Sequence, residues 1–192
     1  MRSFELVVIG CSLGGMRALQ LVLGALPAQF PVPVAVVQHR HKASNEGLPA
    51  FLRKSSKLKV VDVDDKLWIK PGTVYLAPAD YHLLVERGLF TLSVDDRVSH
   101  SRPSIDVLFE SAADAYGDKV VGVVLTGSND DGARGVKRIK KRDGFVVAQD
   151  PKTAEAPEMP QAAIAAARVD RILPLERIGP FLVELCGSAP RS

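Results

Sequence analysis

Cysteine is nearly missing from this chain: Cys11 and Cys186 are the only two in 192 residues. They form neither a CxxC pair nor a zinc-ligand spacing, so no disulfide framework or zinc module is expected, and a reducing cytosol is the natural compartment. Long apolar runs are missing too. Nothing approaches the ~18 residues of a membrane span, and Leu6–Ile9 is too short for a signal-peptide core. Neither secretion nor membrane insertion is expected. This first apolar run begins almost at Met1, leaving little room for an upstream regulatory segment. An excess of one charge is absent as well: 25 basic residues face 22 acidic ones, a net charge of +3. Charge alone gives no reason to expect a nucleic-acid partner. There is no internal repeat, low-complexity tract or linker. Proline-rich Pro27–Pro33 and Pro151–Pro160 read as loops inside one domain spanning residues 1–192.

What remains is globular: 46% hydrophobic and 24% charged residues, in a chain long enough to bury a core without metals or disulfides. Short valine-rich runs alternate with amphipathic segments. Strands are expected at Phe4–Ile9, Pro33–Gln38, Lys59–Val63, Val120–Leu125 and Phe145–Gln149. Helices are expected at Met16–Ala25, Asn45–Ser56, Ser104–Tyr116, Gly132–Arg142, Glu158–Ala167 and Leu175–Leu185. Pro103 stands where the third of these helices starts, and Gly117 closes it. In the middle, Thr73–Ala77, His82–Glu86 and Leu89–Val94 read as short strands separated by turns, suggesting a β-hairpin insertion. The fold class is therefore α/β: a doubly wound, mostly parallel sheet with helices on both faces and a small hairpin insertion.

Open parallel sheets build their sites at the carboxyl ends of strands. Three such ends carry reactive side chains: the first runs into Ser12, the second into His39, and Val120–Leu125 leads to Asp130 and Asp131. These are the parts of an acyl-transfer triad. Gly10-Cys11-Ser12-Leu13-Gly14 fits a nucleophile turn between strand and helix, with helix N–H groups available to an oxyanion. The same serine is equally able to cap a helix or touch a phosphate. His39 is placed to act as general base, with His41, His82 and His100 as rivals. An aspartate before a helix is also a common cap, and spacing does not separate Asp131 from Asp130. Lys137, Arg138, Lys140, Lys141 and Arg142 make one helix very basic, which reads first as a solvated face and second as a dock for an acidic partner.

The order and spacing of several segments resemble the catalytic domain of chemotaxis protein-glutamate methylesterases, the CheB family. The segments are Ile9–Gly15, Gln38-His39, Pro71–Pro78, Arg102–Phe109 and Leu125–Gly135, and the likeness runs from Val7 to about Leu185. The resemblance implies a Ser12, His39, Asp131 triad, the aspartate directly before Gly132 being selected over Asp130. It implies hydrolysis of glutamate methyl esters on chemoreceptors, deamidation of receptor glutamines in some members, and no metal or organic cofactor. The family's N-terminal receiver domain is absent, so the chain is expected to be an excised fragment or a stand-alone esterase, with a receiver in trans as candidate partner. Leu13 replaces the family's threonine, Ser128-Asn129 its Met-Gly, and Glu158 its glycine, which bears on substrate and rate. Two other readings remain. A non-catalytic receptor-binding module of the same fold would suit Leu13, Ser128 and Asn129. A dinucleotide-binding domain shares the strand, glycine turn and helix, but the middle glycine of G-x-G-x-x-G and an acidic end to the second strand are both lacking. A P-loop would need G-K-[ST], and an ordinary α/β-hydrolase places its acid before its histidine.

Overall fold

The computed structural model describes residues 3–39 and 47–187. Runs of four to six residues that are apolar at nearly every position have no face to offer water, and only a sheet covered on both sides accepts them. Strands β1 (Leu6–Cys11), β2 (Val34–Gln38), β5 (Thr73–Leu76) and β8 (Val120–Val124) are buried throughout. They pair in parallel, joined by β3 (Lys59–Asp62), β9 (Phe145–Gln149) and β10 (Arg171–Leu173), in the order β10-β9-β8-β1-β2-β5-β3. The chain thus starts in the middle of the sheet, winds outwards through β2, and later returns to the other side of β1 from β8 onwards.

Alternate residues of β1 enter two different cores. Val7, Ile9 and Cys11 pack with α1 (Gly15–Gly24), α2 (Gly47–Arg53) and α6 (Leu175–Gly187). Leu6 and Val8 face α3 (Ile105–Tyr116), α4 (Ala133–Lys141) and α5 (Glu158–Ala166). This is the expected doubly wound layering. The insertion is larger than a hairpin: β6 (His82–Glu86) and β7 (Leu89–Ser93) take on β4 (Leu67–Trp68) as a third antiparallel strand. One grouping is corrected. Thr73–Leu76 belongs to the parallel sheet between β2 and β3, because its four residues are buried on both faces. Gly117 closes α3 as expected, its N–H bonding Ala113 O at φ 59. Asn45 and Glu46 of the second expected helix lie outside the described residues.

Ion pairs join α3 to α4. Arg134 pairs with Glu110, Arg138 and Arg142 with Asp114, while Lys140 reaches Asp170. Four of the basic groups of α4 and its C-cap, Arg134, Arg138, Lys140 and Arg142, therefore have carboxylate partners.

Candidate functional site

Strands β8, β1 and β2 lie side by side at the centre of the sheet, where the winding reverses. Cys11 pairs with Gln38, and Gly10 with Val124. Ser12 and His39 therefore follow the last paired residues of adjacent strands. Backbone bonds carry both ladders one step further, His39 N–H to Cys11 O at 3.0 Å and Ser12 N–H to Thr126 O at 2.9 Å.

Gln38 ties the two loops together. Its Nε2 donates to Ser12 O at 2.8 Å and to His39 O at 2.9 Å, while Oε1 accepts from the Cys11 thiol at 3.0 Å. The helix behind Ser12 must pass close to this amide. A Cβ at Gly15 would lie 2.0 Å from Gln38 Oε1, so only glycine fits there.

Asp131 is fully buried and accepts four hydrogen bonds. Its Oδ2 meets His39 Nε2 at 2.7 Å and the Ile105 N–H at 2.8 Å; its Oδ1 meets Ser104 Oγ and the Asp106 N–H, both at 2.9 Å. The Ile105 and Asp106 donors are first-turn N–H groups of α3, which have no partner inside their helix, at its positive end. Burial pushes the Asp131 carboxyl up, but the His39 bond and the Asp106 and Ile105 N–H groups outweigh it and hold the group below the usual carboxylate range. Gly132, at φ 102, turns the chain from Asp131 into α4.

The arrangement is reciprocal. Asp106, in the first turn of α3, accepts from the N–H groups of Gly132 (3.0 Å) and Gly135 (2.7 Å) at the start of α4. Its carboxyl is pushed up to about 6, first by burial and further by the Asp131 charge, against the lowering effect of the Gly135 N–H.

Because Nε2 of His39 meets the carboxylate, Nδ1 is the ring nitrogen left for another partner. Asn129 Nδ2 lies 3.5 Å from it, at the long limit of a hydrogen bond. Asn129 also accepts the Asp131 N–H at 3.2 Å and does not take a positive φ, so replacing glycine there does not strain the loop. Ser12 and His39 line one cavity of about 210 Å³, together with Arg97, His100, Ser101 and Arg102. A more open hollow on the other side joins Ser12 and His39 to Leu13, Met16 and Arg17. Leu13 stands 55% exposed, pointing out of the fold rather than filling the site.

The rivals fare differently. Asp130 is exposed, and its carbonyl receives the Ala133 N–H. His82 is buried with both ring nitrogens committed to backbone: Nδ1 accepts from Ser104 N–H at 3.2 Å, and Nε2–H donates to Asp96 O at 2.9 Å. His100 is exposed and reaches the cavity. His41 lies outside the described residues. The partners Gln38, Ser104 and Asp106 were present in the sequence only as parts of motifs. Their one signal was polarity in segments that are otherwise buried. A Cβ at Gly14 would meet Glu155 Oε2 at 2.8 Å, so a pyrophosphate at the start of α1 would face a carboxylate. Among the described residues no three of His, Cys, Asp and Glu are grouped to hold a metal ion.

Comparison with known proteins agrees with this fold. Residues 7–182 match the family described as CheB methylesterase. A Leptospira interrogans protein bearing a protein-glutamate methylesterase/protein-glutamine glutaminase name is 46% identical over 184 residues, 95% of each chain. The protein-glutamate methylesterase FrzG of Myxococcus xanthus is 39% identical over 182 residues, 94% of this chain and 54% of its own. The crystal structure of the Thermotoga maritima CheB methylesterase catalytic domain superposes with a TM-score of 0.91 at 37% identity, covering 95% of this chain and 99% of that one.

Proposed function

The chain belongs to the CheB methylesterase family, and from that premise we propose that it hydrolyses glutamate methyl esters on chemoreceptors through Ser12, His39 and Asp131. The observation that carries the reading is the 2.7 Å contact of His39 with a buried, ionised Asp131, beside Ser12 in a shared cavity. With Nε2–H donated to Asp131, the lone pair on Nδ1 takes the proton of Ser12 Oγ as that oxygen attacks the ester carbonyl. Asp131 stabilises the resulting imidazolium. The N–H groups of Gly14 and Ser128, which donate to no other group among the described residues, receive the oxyanion. Such a donor is worth about 3–4 kcal/mol where one has been removed. Collapse breaks the bond to methoxide, which leaves as methanol with the proton from His39. Water then attacks the acyl-serine by the same proton path and frees the glutamate carboxylate.

The same scheme serves a glutamine side chain, with ammonia as leaving group, in keeping with the glutaminase name of the Leptospira relative. Leu13 and Met16, both exposed beside Ser12, offer an apolar lip to the substrate chain. A receiver domain in trans remains the proposed regulator. The cytoplasm is the compartment this reading requires. Both cysteines are free thiols, as a reducing compartment keeps them.

The test is methanol release from a glutamate-methylated chemoreceptor segment. Wild type should release methanol, and Ser12→Ala should lower the rate by more than about a thousandfold. Equal release by both proteins would overturn the scheme.

A further inference from the structure

A methyl ester is uncharged, yet among the described residues the cavity in front of Ser12 is lined by two guanidinium groups, Arg97 and Arg102, and by no carboxylate. The two arginines differ in what they already hold. Arg102 is committed: its Nη1 donates to Val94 O (2.7 Å) and Asp95 O (3.0 Å), and its Nε and Nη2 donate to Asp80 Oδ1 (3.3 and 3.0 Å). Arg97 has one ion pair among the described residues, to the same Asp80 oxygen at 3.9 Å, and its side chain is 62% exposed. A guanidinium has five N–H donors in a planar fork suited to carboxylate, and that of Arg97 is almost unoccupied.

The loop carrying Arg97 is held firmly. The buried His82 anchors Asp96 O, Val98 and Ser101 exchange both backbone bonds (3.1 and 2.9 Å), and Arg102 ties down Val94 and Asp95. Within it Ser99 (φ 49) and His100 (φ 61) both adopt the left-handed region, as the two central residues of the tight turn that joins the bridged Val98 and Ser101.

We propose that Arg97 binds a carboxylate of the substrate, so that the enzyme selects methyl-esterified glutamates that have an acidic side chain beside them. This deepens the ester-hydrolase reading and rests on it. The acidic neighbour would pair with the Arg97 fork while the neutral ester lies against Ser12. His100, on the same turn, lines the cavity beside Arg97.

The experiment uses the chemoreceptor segment in two versions, with the residues flanking the methylated glutamate set to Glu or to Gln. Wild type should prefer the acidic version by about tenfold in kcat/KM, mostly through KM, and the preference should shrink as salt is raised. Arg97→Gln should reduce the preference to near unity, Arg97→Lys should retain part of it, and Arg97→Glu should invert it. The preference is a ratio within one protein, so partial loss of folded variant leaves it unchanged. Equal use of both versions by wild type, or an undiminished preference in Arg97→Gln, overturns the proposal while leaving ester hydrolysis intact. No turnover of either version by wild type refutes the esterase reading itself, and this inference with it.

Discussion

Replacing Asp106 by asparagine should change how stability depends on pH, and the size of the change follows from the site. The side chain is 3% exposed and its carboxyl is raised from the ordinary 3.8 to about 6. Between those values the folded protein holds a proton that the unfolded chain has released, so wild-type stability falls as pH rises through the window. At about 1.4 kcal/mol per pH unit the full effect is about 3 kcal/mol. In the Asp106→Asn variant the amide oxygen can still accept from the Gly132 and Gly135 N–H groups, but the side chain carries no charge in either state. Urea unfolding of both proteins at about pH 4 and about pH 7 measures the effect. Any constant cost of burying the new amide cancels in the difference between the two pH values. Asp131 does not confound the result, because its carboxyl is held low and its contribution is lost only as pH falls below the ordinary aspartate range. Because the unfolded carboxyl is already more than half ionised at about pH 4, the variant should gain somewhat less than the full effect, about 2.5 kcal/mol, on wild type between the two conditions. Parallel pH profiles would refute the reasoning.

Asp131→Ala leaves three donors, from Ser104, Ile105 and Asp106, without an acceptor. It should cost about 3–5 kcal/mol in a thermal or urea melt. Asp131→Asn keeps the volume and should be less damaging to stability, yet lower methanol release by about 10³–10⁴. Gly15→Ala would force a methyl group to 2.0 Å from Gln38 Oε1 and 2.9 Å from Cys11 Sγ. A loss of about 2 kcal/mol or more is expected, together with reduced turnover as Gln38 releases Ser12 and His39; a fully active, fully stable variant would contradict the role given to Gln38. Burial pushes the Cys11 thiol strongly up and that of Cys186 up to about 12, so a chromogenic disulfide reagent should label neither until urea is added.

The layering of the fold and three reactive strand ends were legible because valine-rich runs without a polar face can be satisfied only inside a parallel sheet. The short pieces were not. Leu67–Trp68 and Arg171–Leu173 are two and three residues long and mostly unburied, so they carry no periodicity. Thr73–Leu76 read as part of the insertion because its neighbours in sequence are antiparallel strands, whereas its neighbours in space are β2 and β3. At the site, Asp130 and Asp131 are indistinguishable by spacing alone. What separates them is the start of α3, more than twenty residues earlier in the chain, whose N–H groups converge on Asp131. The same distance in sequence hid Asp106 as a partner of Gly132. Asn129, expected to bear on substrate and rate, takes no positive φ, so its backbone needs none of glycine's freedom.

The exchange of caps between α3 and α4 bears on how this site would decay if selection for turnover were lifted. Asp131 is needed twice, once beside His39 and once as the anion that completes α3. Ser12 Oγ, by contrast, makes no hydrogen bond among the described residues. A lineage drifting towards mere binding would shed the serine cheaply and keep the aspartate for the sake of the fold. In a related sequence, then, a preserved Asp131 reports an intact scaffold, and under the proposed scheme it is the residue at position 12 that reports an intact reaction.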